Sequence, residues 1–332
     1  MDLFSELNDR LLFAVPKKGR LHEICLQFLK GADIQFHRKP RHDIALVKNH
    51  PIALVFLPAA DIAKYVGGGR VDLGITGQDI IAETAASYGT ATVAHDTNDT
   101  SNSSGSLSPT LDSVREVMPL NFGQCRLMVQ TPVRSGIENV RDLIGKRIVT
   151  SFEALTRQFF TRLEAEALGV TVDTFREQHA LKTTVEFVSG SVEAACALGL
   201  ADGIVDLVES GETMRAAGLQ AIDTIVESQA VLIANTRTRF PKLVNMIQSR
   251  IEGVIASRKF VYITYNIERD MLPKAKEITP GRQAPTINEL VDSHWLAVSA
   301  MVLAKDVADV MDQLKTIGAR DILVFNISNC RV

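Results

Sequence analysis

The chain is poor in cysteine. Its 332 residues include only Cys25, Cys125, Cys196 and Cys330, widely spaced and without a CxxC pair. Neither a disulfide framework nor a zinc ribbon is to be expected, and the four read as reduced thiols of a cytosolic protein. An excess of one charge is also lacking. The net charge is -3 and the pI near 6.2, which removes the electrostatic footprint of a nucleic-acid binder. No apolar run approaches the roughly 20 residues of a membrane span. The start, MDLFSELNDRLLFAVPKKGR, is acidic first and holds only the short run LLFAV, unlike a signal or transit peptide. Common catalytic signatures are missing too. Nothing matches the Walker A loop, Gly67-Gly68-Gly69 precedes a strand pattern instead of following one, and the seven histidines show no H-E-x-x-H spacing.

What is present is an ordinary soluble composition, 46% hydrophobic and 23% charged, in a chain long enough for two or three domains with real cores. Apolar runs alternate with amphipathic stretches. LLFAVP, IALVKN, IALVFLP and VDLGITG read as strands; the segment after Arg20, AADIAKYVGGG and DIIAETAASYG read as helices. That alternation predicts an α/β unit with a largely parallel sheet. The stretch HDTNDTSNSSGSLSPTLDS is nearly devoid of large apolar side chains and cannot repay the entropy of ordering, so a mobile polar insertion is expected over 95–118. A second α/β unit follows, with strands at CRLMVQTP, RIVTSF, VEFVSG and DGIVDLV. The last segment reads as βαββαβ, the split βαβ, ferredoxin-like order. The expected layout is a first catalytic domain from 1–94 with 226–258, a second over 119–225, and a C-terminal domain over 259–332.

Four polar loops fall at the carboxyl ends of predicted strands, where open α/β sheets bind ligands. VPKKGR carries Lys17, Lys18 and Arg20. GITGQD carries Thr76, Gly77 and Asp79. TSF carries Ser151 and Phe152, and ESGET carries Glu209, Ser210, Gly211, Glu212 and Thr213. Each alone reads better as a capped strand–helix junction or a solvated loop than as a ligand site. Four of them in two α/β units point to a cleft for a polyphosphate, because small hydroxyl loops at helix starts offer unpaired N–H groups to anions.

The stretch EAACALGLADGIVDLVESGETM, Glu193 to Met214, resembles the signature of the ATP phosphoribosyltransferase family, through Glu193, Gly199, Ala201, Ile204, Asp206, Leu207, Ser210, Gly211, Thr213 and Met214. PKKGRL, VDLGITG, RIVTSF, GSVE, ITPGR with APTI, and ISNCRV extend the resemblance over essentially the whole chain. It is similar to the long form and closest in spelling to fungal members; only the polar insertion departs from the pattern. The resemblance implies a periplasmic-binding-protein-like pair of α/β units around a cleft plus a ferredoxin-like (ACT-like) regulatory domain. It implies transfer of the phosphoribosyl group of phosphoribosyl pyrophosphate to N1 of the adenine of ATP, with magnesium required and pyrophosphate released, as the first step of histidine biosynthesis. Glu209, Ser210, Gly211, Glu212 and Thr213 would cradle the 5-phosphate, and Asp206 would bind ribose hydroxyls. Lys17, Lys18 and Arg20 would neutralise pyrophosphate or triphosphate. Thr76, Gly77, Asp79, Ser151 and Phe152 would position ATP, and Glu193 would act on ATP or magnesium. No general base is needed, since adenine N1 is largely unprotonated at neutral pH. L-histidine would inhibit through Asn266, Thr286 and Asp321, in dimers that assemble to hexamers in the cytoplasm. The rival readings are a solute-binding module, a nucleotide-salvage phosphoribosyltransferase and a catalytically dead regulatory subunit. The second typically has two acids ahead of a longer hydroxyl loop, whereas here Asp206 stands alone before the loop.

Overall fold

The structure, a computed structural model, describes residues 6–39, 42–91, 113–291 and 294–331. It divides into two compact units, Met1–Cys25 with Phe36–Pro241, and Leu26–Gln35 with Lys242–Val332.

The first unit holds two sheets, here called lobes. Lobe I contains β1 (Leu11–Pro16), β2 (Ile44–Leu46), β3 (Ile52–Leu57), β4 (Leu73–Gly77), β5 (Val114–Pro119) and, from far along the chain, β11 (Ala230–Asn235), in the order β2-β3-β1-β4-β11-β5. Its helices are α1 (Arg20–Gly31, running out of this unit at Leu26), α2 (Ala59–Gly67) and α3 (Gln78–Ala91). Central β1 is buried along almost its whole length, as LLFAVP predicts for a strand covered on both faces. Ile62, Ala63 and Val66 of α2 are fully buried against Ala14, Val231 and Ile233, each large aliphatic contributing roughly 1.5–3 kcal/mol by leaving water.

Lobe II contains β6 (Cys125–Pro132), β7 (Arg147–Thr150), β8 (Thr184–Phe187), β9 (Gly203–Val208) and β10 (Leu219–Ser228), in the order β10-β6-β9-β7-β8. Its helices are α4 (Glu153–Leu168), α5 (Val172–Gln178), α6 (Ala194–Ala197) and α7 (Glu212–Ala216). Its core gathers Leu127, Val129, Ile148, Phe160 and Val205.

The expectation of largely parallel sheets needs correcting, because both are mixed. β1 runs parallel to β3 and β4, and β7 parallel to β8 and β9, but β11 is antiparallel to β4 and β5, and β6 is antiparallel to β9 and β10. Edge strand β2 is antiparallel to β3, and the other antiparallel strands are those that flank the crossings between lobes. β5 leads into β6 through residues 120–124, and β10 returns into β11 through Gln229, so the strands flanking the crossings enter each sheet from the side opposite to a helical crossover. Of the segment expected as a polar insertion, residues 95–112 lie outside the described residues and 114–118 form most of β5.

The second unit holds α8 (Pro241–Lys259), β12 (Phe260–Glu268), α9 (Leu272–Ile278), β13 (Thr286–Glu289), β14 (Trp295–Leu303), α10 (Val307–Thr316) and β15 (Arg320–Asn326). The sheet order β13-β14-β12-β15, with every pairing antiparallel, is the ferredoxin-like arrangement that βαββαβ predicts. Ile263, Tyr265, Ile267, Leu296, Val298 and Leu314 form its core.

Candidate active site

The loop after β9 opens to solvent, as does the loop from Lys17 to Arg20. Gly203 to Val205 is buried, which fixes the strand; from Glu209 the chain emerges, with Glu209, Ser210, Glu212 and Thr213 exposed. Gly211 takes φ 76° ahead of α7, a left-handed conformation that glycine adopts without the cost a Cβ brings. Ser210 Oγ accepts from the Glu212 amide at 3.4 Å, and the Arg215 guanidinium donates to the Ser210 carbonyl at 3.1 Å. First-turn amides of α7 have no carbonyl behind them within the helix. The loop lines a cavity of about 310 Å³ together with Arg20.

Asp206 stands at the root of this loop, its Oδ1 accepting from the Leu207 amide at 2.8 Å. Burial raises its carboxyl above the ordinary aspartate range. The Leu207 amide opposes that, the Glu193 carboxylate pushes the same way as burial, and Arg20 pulls down. Asp206 and Glu193, the residue preceding α6, are thus electrostatic neighbours brought together from two elements.

Arg20, the first residue of α1, reaches from lobe I to the lobe II loop. It forms an ion pair with Glu209 and donates to Cys125 Sγ at 3.1 Å. Burial pushes the Cys125 thiol up, more than Arg20 lowers it, so Arg20 faces a neutral thiol at neutral pH. Beside this pair a second cavity of about 510 Å³ opens over the two crossings, lined by Gln78, Gln124, Cys125, Arg126, Glu227 and Gln229, and it shares Val208 and Glu209 with the first. Lys17 lies apart from this contact, in an ion pair with Asp43 at 2.8 Å, with Arg38 also 3.7 Å from that carboxylate. Lys18 is exposed on the same loop.

The remaining two loops turn their polar groups inward. Thr76 is fully buried and donates to the Ala59 carbonyl at 3.1 Å. Asp79 is 2% exposed; its amide donates to Ser228 Oγ at 2.9 Å, and that hydroxyl donates back to Asp79 Oδ1 at 2.5 Å. The carboxylate folds over Gly77, where a Cβ would collide with it. Phe152 is 5% exposed within the lobe II core, packed with Phe159 and Phe160, and Ser151 is half-buried beside it. In the second unit, Asn266 Nδ2 donates to Asp321 Oδ2 at 2.9 Å. Thr286 sits on β13, the opposite edge of the sheet from β15, three strand spacings or roughly 14 Å away.

This arrangement can hold a polyanion between a hydroxyl loop and an arginine. A family model described as ATP phosphoribosyltransferase matches residues 58–253, and one described as HisG, C-terminal domain matches residues 257–329. The chain belongs to the ATP phosphoribosyltransferase family. Proteins named ATP phosphoribosyltransferase are 52% identical in Yarrowia lipolytica, 50% in Schizosaccharomyces pombe and 48% in Saccharomyces cerevisiae, each alignment covering 100% of both chains. The solved ATP phosphoribosyl transferase (HisG:HisZ) complex from Thermotoga maritima has a TM-score of 0.53 at 23% identity, covering 74% of this chain and 97% of that one, a likeness of fold. Among the residues that line the larger of the two cavities, Cys125 and Ser228 carry no motif. Their roles come from a partner 105 residues away in one case and 149 in the other, which no local pattern encodes.

Proposed function

We propose that the family's reaction takes place in the cleft of the first unit, with phosphoribosyl pyrophosphate on the loop after β9 and ATP facing it from the side of Arg20. The chain is an ATP phosphoribosyltransferase and performs the first step of histidine biosynthesis: adenine N1 attacks the ribosyl C1, a C–N bond forms, and the C1–O bond to pyrophosphate breaks. The observation that carries the placement is the Arg20–Glu209 pair, which joins a cationic loop of lobe I to the hydroxyl loop of lobe II around one cavity. An incoming phosphate takes Glu209's place as the anionic partner of Arg20, in a charge-assisted contact stronger than a neutral one. Ser210 and Thr213 hydroxyls and the first-turn amides of α7 would hold the 5-phosphate, and Asp206 the ribose hydroxyls. Arg20 would then stand where charge develops on the leaving pyrophosphate. Catalysis is positioning plus preorganised electrostatics.

Magnesium fits the donor set. It prefers one or two carboxylates together with substrate phosphates, and the Glu193 carboxylate disfavours ionisation of Asp206, a tension a divalent cation relieves. Among the described residues no group of three or more His, Cys, Asp or Glu is poised for a metal, so substrate oxygens would complete the shell. When bound, the cation would help neutralise the leaving pyrophosphate. Asn266 and Asp321 would receive the polar ends of L-histidine as inhibitor, in a chain that forms dimers and hexamers. We place the reaction in the cytoplasm, a reading supported by four free cysteines; among the described residues no helix is long and apolar enough to cross a membrane.

The test is the mass of the product formed by the purified chain from ATP and phosphoribosyl pyrophosphate. The expected species is ATP plus one phosphoribosyl group, with pyrophosphate released in equal amount. A ligand bound without turnover, or a nucleoside monophosphate made from a free base, contradicts the assignment.

A further inference from the structure

Helix α3 belongs to lobe I, where Ile80 and Ile81 pack against the core of β1, α2 and β11. Yet two of its acids end in lobe II. Asp79 is joined to Ser228, the final residue of β10, by the reciprocal bonds described above. Four residues on, and so on the same face of the helix, Glu83 accepts from the Ala154 amide at 2.8 Å and the Leu155 amide at 2.9 Å, one with each carboxylate oxygen. Those amides open α4, sixteen residues long, whose own N-cap residue, Phe152, supplies no side-chain cap. The first turn of α4 is therefore capped by a side chain from the opposite lobe. Between the two acids, Ile80 packs against the cores of both lobes.

We propose that Glu83 is a positioning residue for phosphoribosyl transfer: its clasp on the first turn of α4 fixes the angle between the lobes, and with it the distance from the loop after β9 to Arg20. The Asp79–Ser228 bonds lie at a crossing and so constrain rotation about it little. Glu83 acts about 6 Å further along the helix, with a lever arm. Its hold is passed on by hydrogen bonds. Thr156 Oγ1 donates to the Phe152 carbonyl at 2.7 Å, the Phe152 amide donates to Thr150 Oγ1 at 2.9 Å, and Thr150 Oγ1 donates to the Val205 carbonyl at 2.8 Å. Val205 lies on β9, the strand whose end carries the phosphate loop. Displacing the start of α4 thus displaces that loop relative to lobe I. The inference rests on the reading that phosphoribosyl pyrophosphate occupies the loop after β9.

The experiment compares full-length wild type with Glu83→Ala and Glu83→Gln in kcat, in KM for each substrate, in single-substrate Kd by calorimetry, and in Tm. Each substrate's contacts within its own lobe are intact in these variants, so single-substrate Kd values should stay within about threefold of wild type, while kcat falls roughly 10- to 100-fold in the alanine variant, the scale of a 1 Å misplacement. Glutamine offers one acceptor oxygen to two amides and should lose about 3- to 10-fold; it has the size of glutamate and carries the test if the alanine variant does not fold. A fall in Tm with unchanged kcat would reduce Glu83 to a helix cap, and a Kd that weakens in step with kcat/KM would make it a substrate contact; either overturns the proposal. Failure of the underlying reading shows separately, as a Thr213→Ala variant that binds phosphoribosyl pyrophosphate like wild type.

Discussion

Two loops of the cleft, Gly74–Asp79 and Val208–Met214, are spelled alike: a buried strand end, a glycine, an acid and a helix start. They are used in opposite ways. In the first, Thr76 and Asp79 bond to Ala59 and Ser228 inside the protein, and Gly77 is needed because the Asp79 carboxylate lies over it. In the second, the hydroxyls of Ser210 and Thr213 are exposed and Gly211 is needed for its left-handed φ. The pattern of a strand-end loop says that a helix begins there. Whether the loop binds a ligand depends on where its side chains point, and that is decided by partners distant in sequence.

The sharpest way to break this contrast is Arg20→Ala, which removes the cation facing the open loop. Turnover should fall about 10²- to 10³-fold, the loss typical of one preorganised transition-state donor, while Tm changes little because the Arg20–Glu209 pair is partly exposed. Steady-state kinetics beside a thermal melt check this, and a lowered Tm with intact turnover would reverse the assignment. Asp79→Ala should do the opposite. It removes the acceptor of the buried Ser228 hydroxyl proton, while the backbone amide at position 79 still donates to Ser228 Oγ; the cost is about 1–3 kcal/mol, so Tm should drop by several degrees with kcat within a few-fold of wild type. Loss of ATP binding at an unchanged Tm would make Asp79 a ligand contact after all.

Asp206→Asn tests the root of the open loop through pH. The folded-state pKa of Asp206 is raised, so the stability linked to this carboxyl is fully present at low pH and is lost as pH rises through the raised value. Asparagine escapes that loss while still accepting from Leu207. The variant should turn over more slowly yet melt higher than wild type at pH 7, and the gain should vanish as pH falls toward the ordinary aspartate value of 3.8. A variant that melts lower at pH 7 would show that ionised Asp206 stabilises the fold. The smallest effects on turnover are expected in the second unit. Asp321→Asn should weaken histidine inhibition about tenfold and Thr286→Ala about threefold, since Thr286 lies across the sheet from the Asn266–Asp321 pair. Inhibition curves at saturating substrate measure both, and a larger effect at Thr286 would move the pocket to the β13 edge.

Much of the fold was legible in the sequence. The alternating periodicities around LLFAVP, AADIAKYVGGG and VDLGITG name their elements, and the order βαββαβ names the last domain. Strand direction was not legible, because apolar periodicity says nothing about whether β6 and β11 enter a sheet from a helix or from the other lobe. Of the candidate site, the exposed loop from Glu209 to Thr213 could be picked out because its hydroxyls, its glycine and its strand are contiguous. Phe152, expected to help position ATP, lies in the core, since burial depends on α4 folding back over β7. The partner of Lys17, Asp43, is 26 residues away, and the cap of α4 comes from Glu83, 71 residues before Ala154. A cap supplied by another helix leaves no trace near the helix it caps.

The most direct test of the contrast between the loops is the Kd of phosphoribosyl pyrophosphate with magnesium, measured on wild type, Thr213→Ala and Asp79→Asn. Loss of one hydrogen bond to a charged phosphate, about 1.5–3 kcal/mol, predicts binding weakened roughly 10- to 100-fold in Thr213→Ala and within about threefold of wild type in Asp79→Asn. Wild-type affinity in Thr213→Ala, with the loss appearing in Asp79→Asn instead, would put the phosphate on the other loop and contradict the account.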